Sequence, residues 1–279
     1  MTDHGWRVGV VVPTKDSART LKACLTSLRN QTLRCSIVVV DNHSKDATSE
    51  IANRFADQFV VAGPERSAQR NRGATILGDV DIIGFVDSDM VLEPTVLTEA
   101  AALIGSGADA IVVPEHTTGS GFFATVRAFE RAQYVGVSRV EAARFFRADL
   151  FRFVGGFDNE LTAGEDWDLG LRMAAAGAIL RHTTAAIWHD EGAVHYLAHC
   201  RKKGSYAIGL RTFLAKHGNL GRAVVLDRPY FKRPWRLLKH PVLAAGLVTL
   251  KSGEAVAVGV ALTRQRRAGG RCPDRLEAP

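Results

Sequence analysis

The sequence predicts an α/β protein with a doubly wound, mostly parallel central sheet, flanking helices and a helical C-terminal appendage. Three observations carry that expectation. Apolar β-branched runs alternate with segments of helical periodicity through the first 115 residues. The connections between them are short, as parallel β-α-β units require. A long apolar stretch then appears near the C-terminus, from Pro241 to Leu262.

The elements follow in order. Val8 to Val12 is the first strand, and Leu21, Cys24, Leu25 and Leu28 recur at helical spacing behind it. Ile37 to Val40 is the second strand. Ala47 to Phe55 is a helix that Asp46 can cap. Phe59 to Val61, Ile82 to Val86 and Ala110 to Val113 continue the sheet, with helices over Ser67 to Leu77 and Val96 to Ile104. Right-handed crossovers put helices on both faces. Beyond Pro114 the pattern predicts helices over Gly119 to Val135, Asp166 to Ala176 and Ala193 to Leu214. Strands are expected over Ala142 to Phe146 and within Ile179 to Trp188. The expected organisation is a catalytic domain over 1–218, with halves 1–115 and 116–218. A basic and apolar helical appendage follows over 219–263, then a disordered tail over 264–279.

Composition sets bounds. At 46% apolar, the 279 residues can fill a sizeable core, which excludes global disorder. Cys24, Cys35, Cys200 and Cys272 are scattered without metal-like spacing, as expected of free thiols in a reducing cytoplasm. The chain enters a strand almost at once, so no signal peptide is expected. The net charge of +7 is uneven: from Arg201 to Lys239 eleven basic residues accompany one acid, Asp227. Such a segment favours anionic surfaces. A solvated helix face would mix both signs.

The most informative short motif is Asp87-Ser88-Asp89, directly after the apolar run Ile82 to Val86. A strand ending in Asp-x-Asp delivers two carboxylates to the C-terminal edge of the sheet, where ligands bind in open α/β folds. Hard oxygen ligands there suit Mg²⁺ or Mn²⁺ beside a diphosphate. By itself the motif is equally compatible with a turn and N-cap before a helix begun at Pro94. A dinucleotide site is excluded, because the turn Val12 to Ala18 has no glycine to admit a pyrophosphate. His195 and His199 lie four apart, but Tyr196 stands where a zincin needs Glu, so they read as ordinary helix residues.

Further motifs fall in a recognisable order: Val11-Val12-Pro13-Thr14, Val38 to Asp46, Arg70-Asn71-Arg72-Gly73, Asp87-Ser88-Asp89, Gly155-Gly156-Phe157-Asp158 and Gly164 to Leu169. The set closely resembles inverting family 2 glycosyltransferases of the GT-A fold, over roughly residues 7–195. The resemblance implies a metal-dependent transfer of sugar from a nucleotide-diphosphate sugar, UDP-sugar first and GDP-sugar next. It places Pro13, Thr14 and Asp41 at the nucleobase and Arg70 or Arg72 by the diphosphate, although surface salt bridges explain lone arginines equally well. Asp87 falls at the ribose or metal, Asp89 on the Mn²⁺ or Mg²⁺ ion, and Asp166 as the base that deprotonates the acceptor hydroxyl. Glu165, Trp167 and Asp168 fall on the acceptor side. His189 matches a position that supplies a metal ligand or phosphate contact in some relatives, although a lone histidine equally fits a structural role.

In the appendage, Lys251 and Glu254 would each cost about 2.5–3.5 kcal/mol at a bilayer centre. Two short helices in the membrane interface are therefore expected, with the basic and aromatic stretch Tyr230 to Arg236 at headgroup level. The protein is expected at the cytoplasmic, inner face of the cell membrane, acting on a glycan, lipid-linked or small-molecule acceptor in cell-envelope glycan synthesis. A polyprenyl-phosphate sugar synthase is the alternative. A catalytically idle basic protein that binds nucleic acid or membrane is the alternative of another class. Nucleic acid is not expected as a partner, since no known motif supports it. A carbohydrate-binding module without turnover is disfavoured, because both acidic motifs are intact.

Overall fold

The computed structural model describes residues 5–134, 141–226 and 235–269. In chain order these form β1 (Val8–Thr14), α1 (Ala18–Arg29), β2 (Cys35–Asp41), α2 (Thr48–Phe55), β3 (Gln58–Val61), α3 (Arg66–Leu77), β4 (Ile82–Phe85), β5 (Met90–Leu92) and α4 (Val96–Gly105). There follow β6 (Ala110–Val112), β7 (Glu115–Ser120), α5 (Phe122–Ala132), β8 (Ala143–Arg147), α6 (Ala148–Phe153), α7 (Glu165–Ala175), β9 (Leu180–His182) and β10 (Ile187–Ala193). The described chain closes with α8 (Tyr196–Ser205), α9 (Ala207–Leu226), α10 (Trp235–Leu238) and α11 (Pro241–Gly269).

Seven strands form one sheet in the order β3-β2-β1-β4-β8-β6-β9. All its pairings are parallel except those of β8, which runs antiparallel to both neighbours. Because β8 and β9 are inserted beside strands from the first 115 residues, the two expected halves share a single sheet. β1 is buried along its whole length, as its run of valines requires of a strand covered on both faces. α1 buries Leu21, Cys24, Leu25 and Leu28 against one face. On the other, Phe85 packs against Phe151 and Phe157 at 5.0 and 4.9 Å between ring centroids.

A second, three-stranded sheet has the order β5-β10-β7. β5 is not among the expected strands: at three residues it is too short to show a period, and it is defined by its pairing with β10. This small sheet holds Asp89, just before β5, beside His189 of β10: Met90 pairs with His189, and Asp190 N–H donates to the Asp89 carbonyl at 2.8 Å.

Three C-terminal expectations are corrected. The helix expected over Ala193 to Leu214 is two, α8 and α9, divided at Tyr206. α9 runs through the boundary expected at 218 and kinks at Gly218. In place of two short apolar helices, α11 is one continuous helix of 29 residues, long and apolar enough over Pro241–Arg264 to cross a membrane. It continues to Gly269, into the segment expected to be disordered; 270–279 lie outside the described residues, as do 230–234 of the basic and aromatic stretch.

α11 is docked. Val126, Leu247 and Leu250 form a buried cluster of their own, with Phe123 and Tyr196 packed against it. Lys251 and Glu254, the charges that argued against membrane insertion, face inward: Lys251 Nζ lies 2.7 Å from Glu130 of α5, and Glu254 lies 2.9 Å from His199 of α8. A β-carbon on Gly253 would collide with the Tyr196 hydroxyl and Cys200. Gly253→Val should therefore destabilise the fold by about 1–3 kcal/mol through overpacking, read by chemical denaturation. An unchanged midpoint would mean that α11 does not hold this position in solution.

Candidate functional site

The C-terminal edge of the sheet opens into one cleft of about 960 Å³. Pro13, Thr14, Asp87, Asp89, Glu165, Asp166, Trp167 and His189 all line it. The Asp-Ser-Asp turn and the first turn of α7, some eighty residues apart in sequence, thus face a common space. Gly164 sets the direction of α7: it occupies the left-handed region at φ 80°, and Phe213 packs against it too closely for a side chain. The next two residues, Glu165 and Asp166, begin the helix where its dipole favours negative charge.

Behind the cleft wall lies Arg70, fully buried on α3. Its guanidinium donates to Asp166 Oδ1 at 2.9 Å and to Asp87 Oδ1 at 3.0 Å, and stacks over the Phe157 ring at 4.9 Å. The expectation that Arg70 touches the diphosphate is thereby corrected, since it is sealed off from the cleft. Arg66, one helical turn earlier, is the α3 arginine that lines the cleft. Arg144 of β8 reaches the other oxygen of Asp87 at 3.4 Å. Burial would push the Asp87 carboxyl up, but Arg70, Arg144 and Arg66 outweigh it and hold it well below the usual carboxylate range. Glu165 goes the other way: burial and the neighbouring Asp166 raise it, against weaker opposition from Arg70 and Arg66.

Asp89 and His189 form a pair, His189 Nε2 lying 3.0 Å from Asp89 Oδ2. The Arg131 guanidinium lies 3.2 Å from His189 Nδ1 on the far side of the ring. Asp89 Oδ1 is buried with no hydrogen-bond partner. An orphaned carboxylate oxygen beside an imidazole fits a divalent cation. Among the described residues no group of three or more His, Cys, Asp or Glu converges on one point. Mg²⁺ commonly keeps several waters and takes only one or two protein ligands.

Two expected site residues lie elsewhere. Asp41 sits beneath the cleft, 2% exposed, accepting from Thr14 Oγ1 at 2.7 Å and from the Ser44 N–H at 2.7 Å. Contact with a base would need the Ser44 loop to yield. Asp168 points away from the cleft, because position 168 lies on the opposite side of α7. It is fully buried and neutralised by Arg172 at 2.7 Å, Lys216 at 2.7 Å and His217 at 2.8 Å. That cluster fastens α7 to α9.

A chain of alternating charges along the cleft wall was not anticipated. Arg144 and Arg131 both hold Glu115, at 2.5 and 2.8 Å. Arg127 holds Glu191 at 2.8 Å and Glu130 at 3.1 Å, and Glu130 passes to Lys251 of α11. Arg127 and Arg131 are one helical turn apart on α5, a spacing that could have marked them. His195, the residue before α8, and His199 within it line this end of the cleft.

A family model for glycosyl transferase family 2 matches residues 9–157. Succinoglycan biosynthesis protein ExoA of Rhizobium meliloti is 29% identical over 196 residues, covering 60% of this chain and 58% of the relative. The chain thus spans less than two thirds of that relative's length. Among solved structures, S. aureus TarS 1-349 superposes with a TM-score of 0.55 at 17% identity, covering 94% of this chain and 92% of the other. Mannosyltransferase PcManGT from Pyrobaculum calidifontis, in complex with GDP-Man and Mn²⁺, superposes with a TM-score of 0.56 at 18% identity, covering 96% and 82%. At these identities the likeness to solved structures is one of fold.

Arg70→Met should destabilise the protein by about 3–5 kcal/mol, because it takes the buried counter-charge from Asp166 and leaves Asp87 with Arg144 as its ion-pair partner. Denaturant titration measures this, and a loss below about 1 kcal/mol would show that water reaches these carboxylates freely.

Proposed function

Because this chain belongs to glycosyl transferase family 2, we propose that it moves a sugar from a UDP-sugar, with GDP-sugar next in order, to an acceptor hydroxyl with inversion. One observation carries the reading: Asp89 with its orphaned oxygen and Asp166 at a helix start open on the same cleft. Asp89 and His189 would hold a Mn²⁺ or Mg²⁺ ion, which when bound neutralises charge growing on the departing diphosphate. Arg66 adds a positive group on that side.

Asp166 takes the acceptor proton as the hydroxyl oxygen attacks the anomeric carbon from the face opposite the nucleotide. Arg70 fixes the Asp166 carboxylate from behind, so that its free oxygen is aimed into the cleft. Pro13 and Thr14 receive the nucleoside, with Asp41 anchoring the Thr14 hydroxyl. Trp167 and Glu165 border the acceptor. Asp166→Asn should retain UDP binding in Mn²⁺ and lose about 10²–10⁴ in turnover; Asp89→Ala should lose the Mn²⁺-dependent part of UDP binding. If Asp166→Asn turns over like the parent while Glu165→Gln is dead, the base is Glu165 and the assignment fails.

The membrane reading is supported by the outward face of α11. Between Val242 and Thr263 every exposed position is apolar, small or a hydroxyl residue, without one charge. Val248 and Val256 are 64% and 67% exposed. A surface of that composition suits a lipid interface. With its polar side committed to α5 and α8, α11 would lie along the bilayer surface, peripheral on the inner face. The acceptor is then lipid-linked or membrane-proximal, in cell-envelope glycan synthesis. Val248→Glu with Val256→Glu should cut co-sedimentation with phosphatidylglycerol vesicles about tenfold or more, since each valine forfeits roughly 1.5–3 kcal/mol of burial. Sedimentation equal to the parent's would remove α11 as the contact.

A further inference from the structure

We propose that the end of the cleft beside α8 is a phosphate-binding subsite, in which the ammonium of Lys203 receives a phosphate ester carried by the acceptor. The inference rests on the transferase reading of the cleft given above, and it specifies the acceptor's chemical class.

The cations at this end are nearly all committed. Arg127 holds Glu191 and Glu130, Lys251 holds Glu130 and Glu254, and His199 holds Glu254. Lys203 is the exception. It is half-buried and lines the cleft, yet among the described residues no carboxylate stands within ion-pair distance of it. The face of Tyr206 lies 6.0 Å from its Nζ, while Glu254 and Glu130 act on it only from beyond ion-pair distance. A half-buried ammonium without an anion is unfavourable unless a ligand supplies one. Burial and the neighbouring Arg127 push this ammonium down to about 8, against a weaker pull from Glu254. Lys202, exposed at the same rim, adds a second positive charge. Two ammonium groups and an aromatic face suit a compact, multiply charged anion, and phosphate is that anion.

The subsite also adjoins α11, whose Lys251, Glu254 and Val258 form its wall. The uncharged outer stripe of α11 lies one helix diameter away, about 10 Å. A phosphate seated at Lys203 could therefore belong to a lipid whose chain continues past α11, or to a water-soluble sugar phosphate. Both present the same group to Lys203.

The test uses the full chain and calorimetric titration with dodecyl phosphate, glucose 1-phosphate and the uncharged dodecyl maltoside, alongside UDP in Mn²⁺. A phosphate-bearing probe should bind at about pH 7, Lys203→Met should weaken it about tenfold or more, and Lys203→Arg should retain it. UDP affinity should be the same in all three proteins. The groups facing Lys203 are Arg127 and Glu130 on α5, Lys251 and Glu254 on α11, and His199 on its own helix. Lys203 is lowered toward neutrality. Its charge is present below about 8 and lost above, so parental binding should fall between about pH 7 and about pH 9, whereas Lys203→Arg should hold its affinity. Binding of both phosphates marks recognition of the phosphate alone, and binding of dodecyl phosphate only marks a lipid phosphate; either upholds the subsite. Equal binding by parent and Lys203→Met, or UDP–Mn²⁺ binding without any phosphate probe, overturns it and leaves the transferase reading standing. A parent that fails to bind UDP in Mn²⁺ overturns the transferase reading instead.

Discussion

The buried guanidinium of Arg70 is the constraint around which the cleft is organised. Two carboxylates from distant segments, Asp87 after β4 and Asp166 at the start of α7, cannot approach each other without a counter-charge. Arg70 supplies it from behind, at 3.0 and 2.9 Å, with no exposure of its own. The strength of such a bridge comes from its low-dielectric surroundings, and so does the penalty for breaking it. A consequence for mechanism follows. Because the arginine occupies the rear of each carboxylate, one oxygen of the proposed base is fixed while the other is turned to the cleft. Orientation of this kind limits the motion that a general base would otherwise have to lose during the reaction.

The same logic extends along the wall in alternating charges. Asp87, Arg144, Glu115, Arg131 and His189 lead to Asp89, and a second run through Arg127, Glu130 and Lys251 leads to Glu254 on α11. Each member is partly or fully buried, so each requires its neighbour. The chain of pairs makes the cleft wall one electrostatic unit that stretches from the proposed metal ligands to the C-terminal helix. α11 is thereby a structural part of the cleft, and its inward face belongs to the same unit as Asp89.

Two faces of one helix therefore answer to two environments. The inner side of α11 carries its only central charges, Lys251 and Glu254, and close-packed glycines; the outer side carries none. A helix wholly inside a bilayer would leave those charges without water, whereas one docked on α5 and α8 gives them partners. The proposed membrane contact and the proposed phosphate subsite thus lie on opposite sides of a single element. If both hold, a phosphate-bearing acceptor at the cleft would sit within reach of the membrane surface.

The sheet was legible in the sequence because parallel strands buried on both faces must be apolar runs: Val8 to Val12, Ile37 to Val40 and Ile82 to Val86 carry their own signal. Asp87, Asp89 and Asp166 were legible because short motifs at strand and helix ends keep their order along the chain. Other features had no local signature. β5 exists only through its pairing with β10. Asp168 shares a helical turn with Asp166 and Glu165 but lies on the opposite side of α7, where only the tertiary structure brings Lys216 and His217 to it. Arg70 reads as a surface arginine until β4 and α7 close over it. In this protein the sequence by itself determined the buried strands of the central sheet, the helices that alternate with them through the first 115 residues and the acids that end them. Only the tertiary structure decided which charges face each other, because a side chain's partner is set by contacts across tens of residues that no local pattern of apolar and polar positions records.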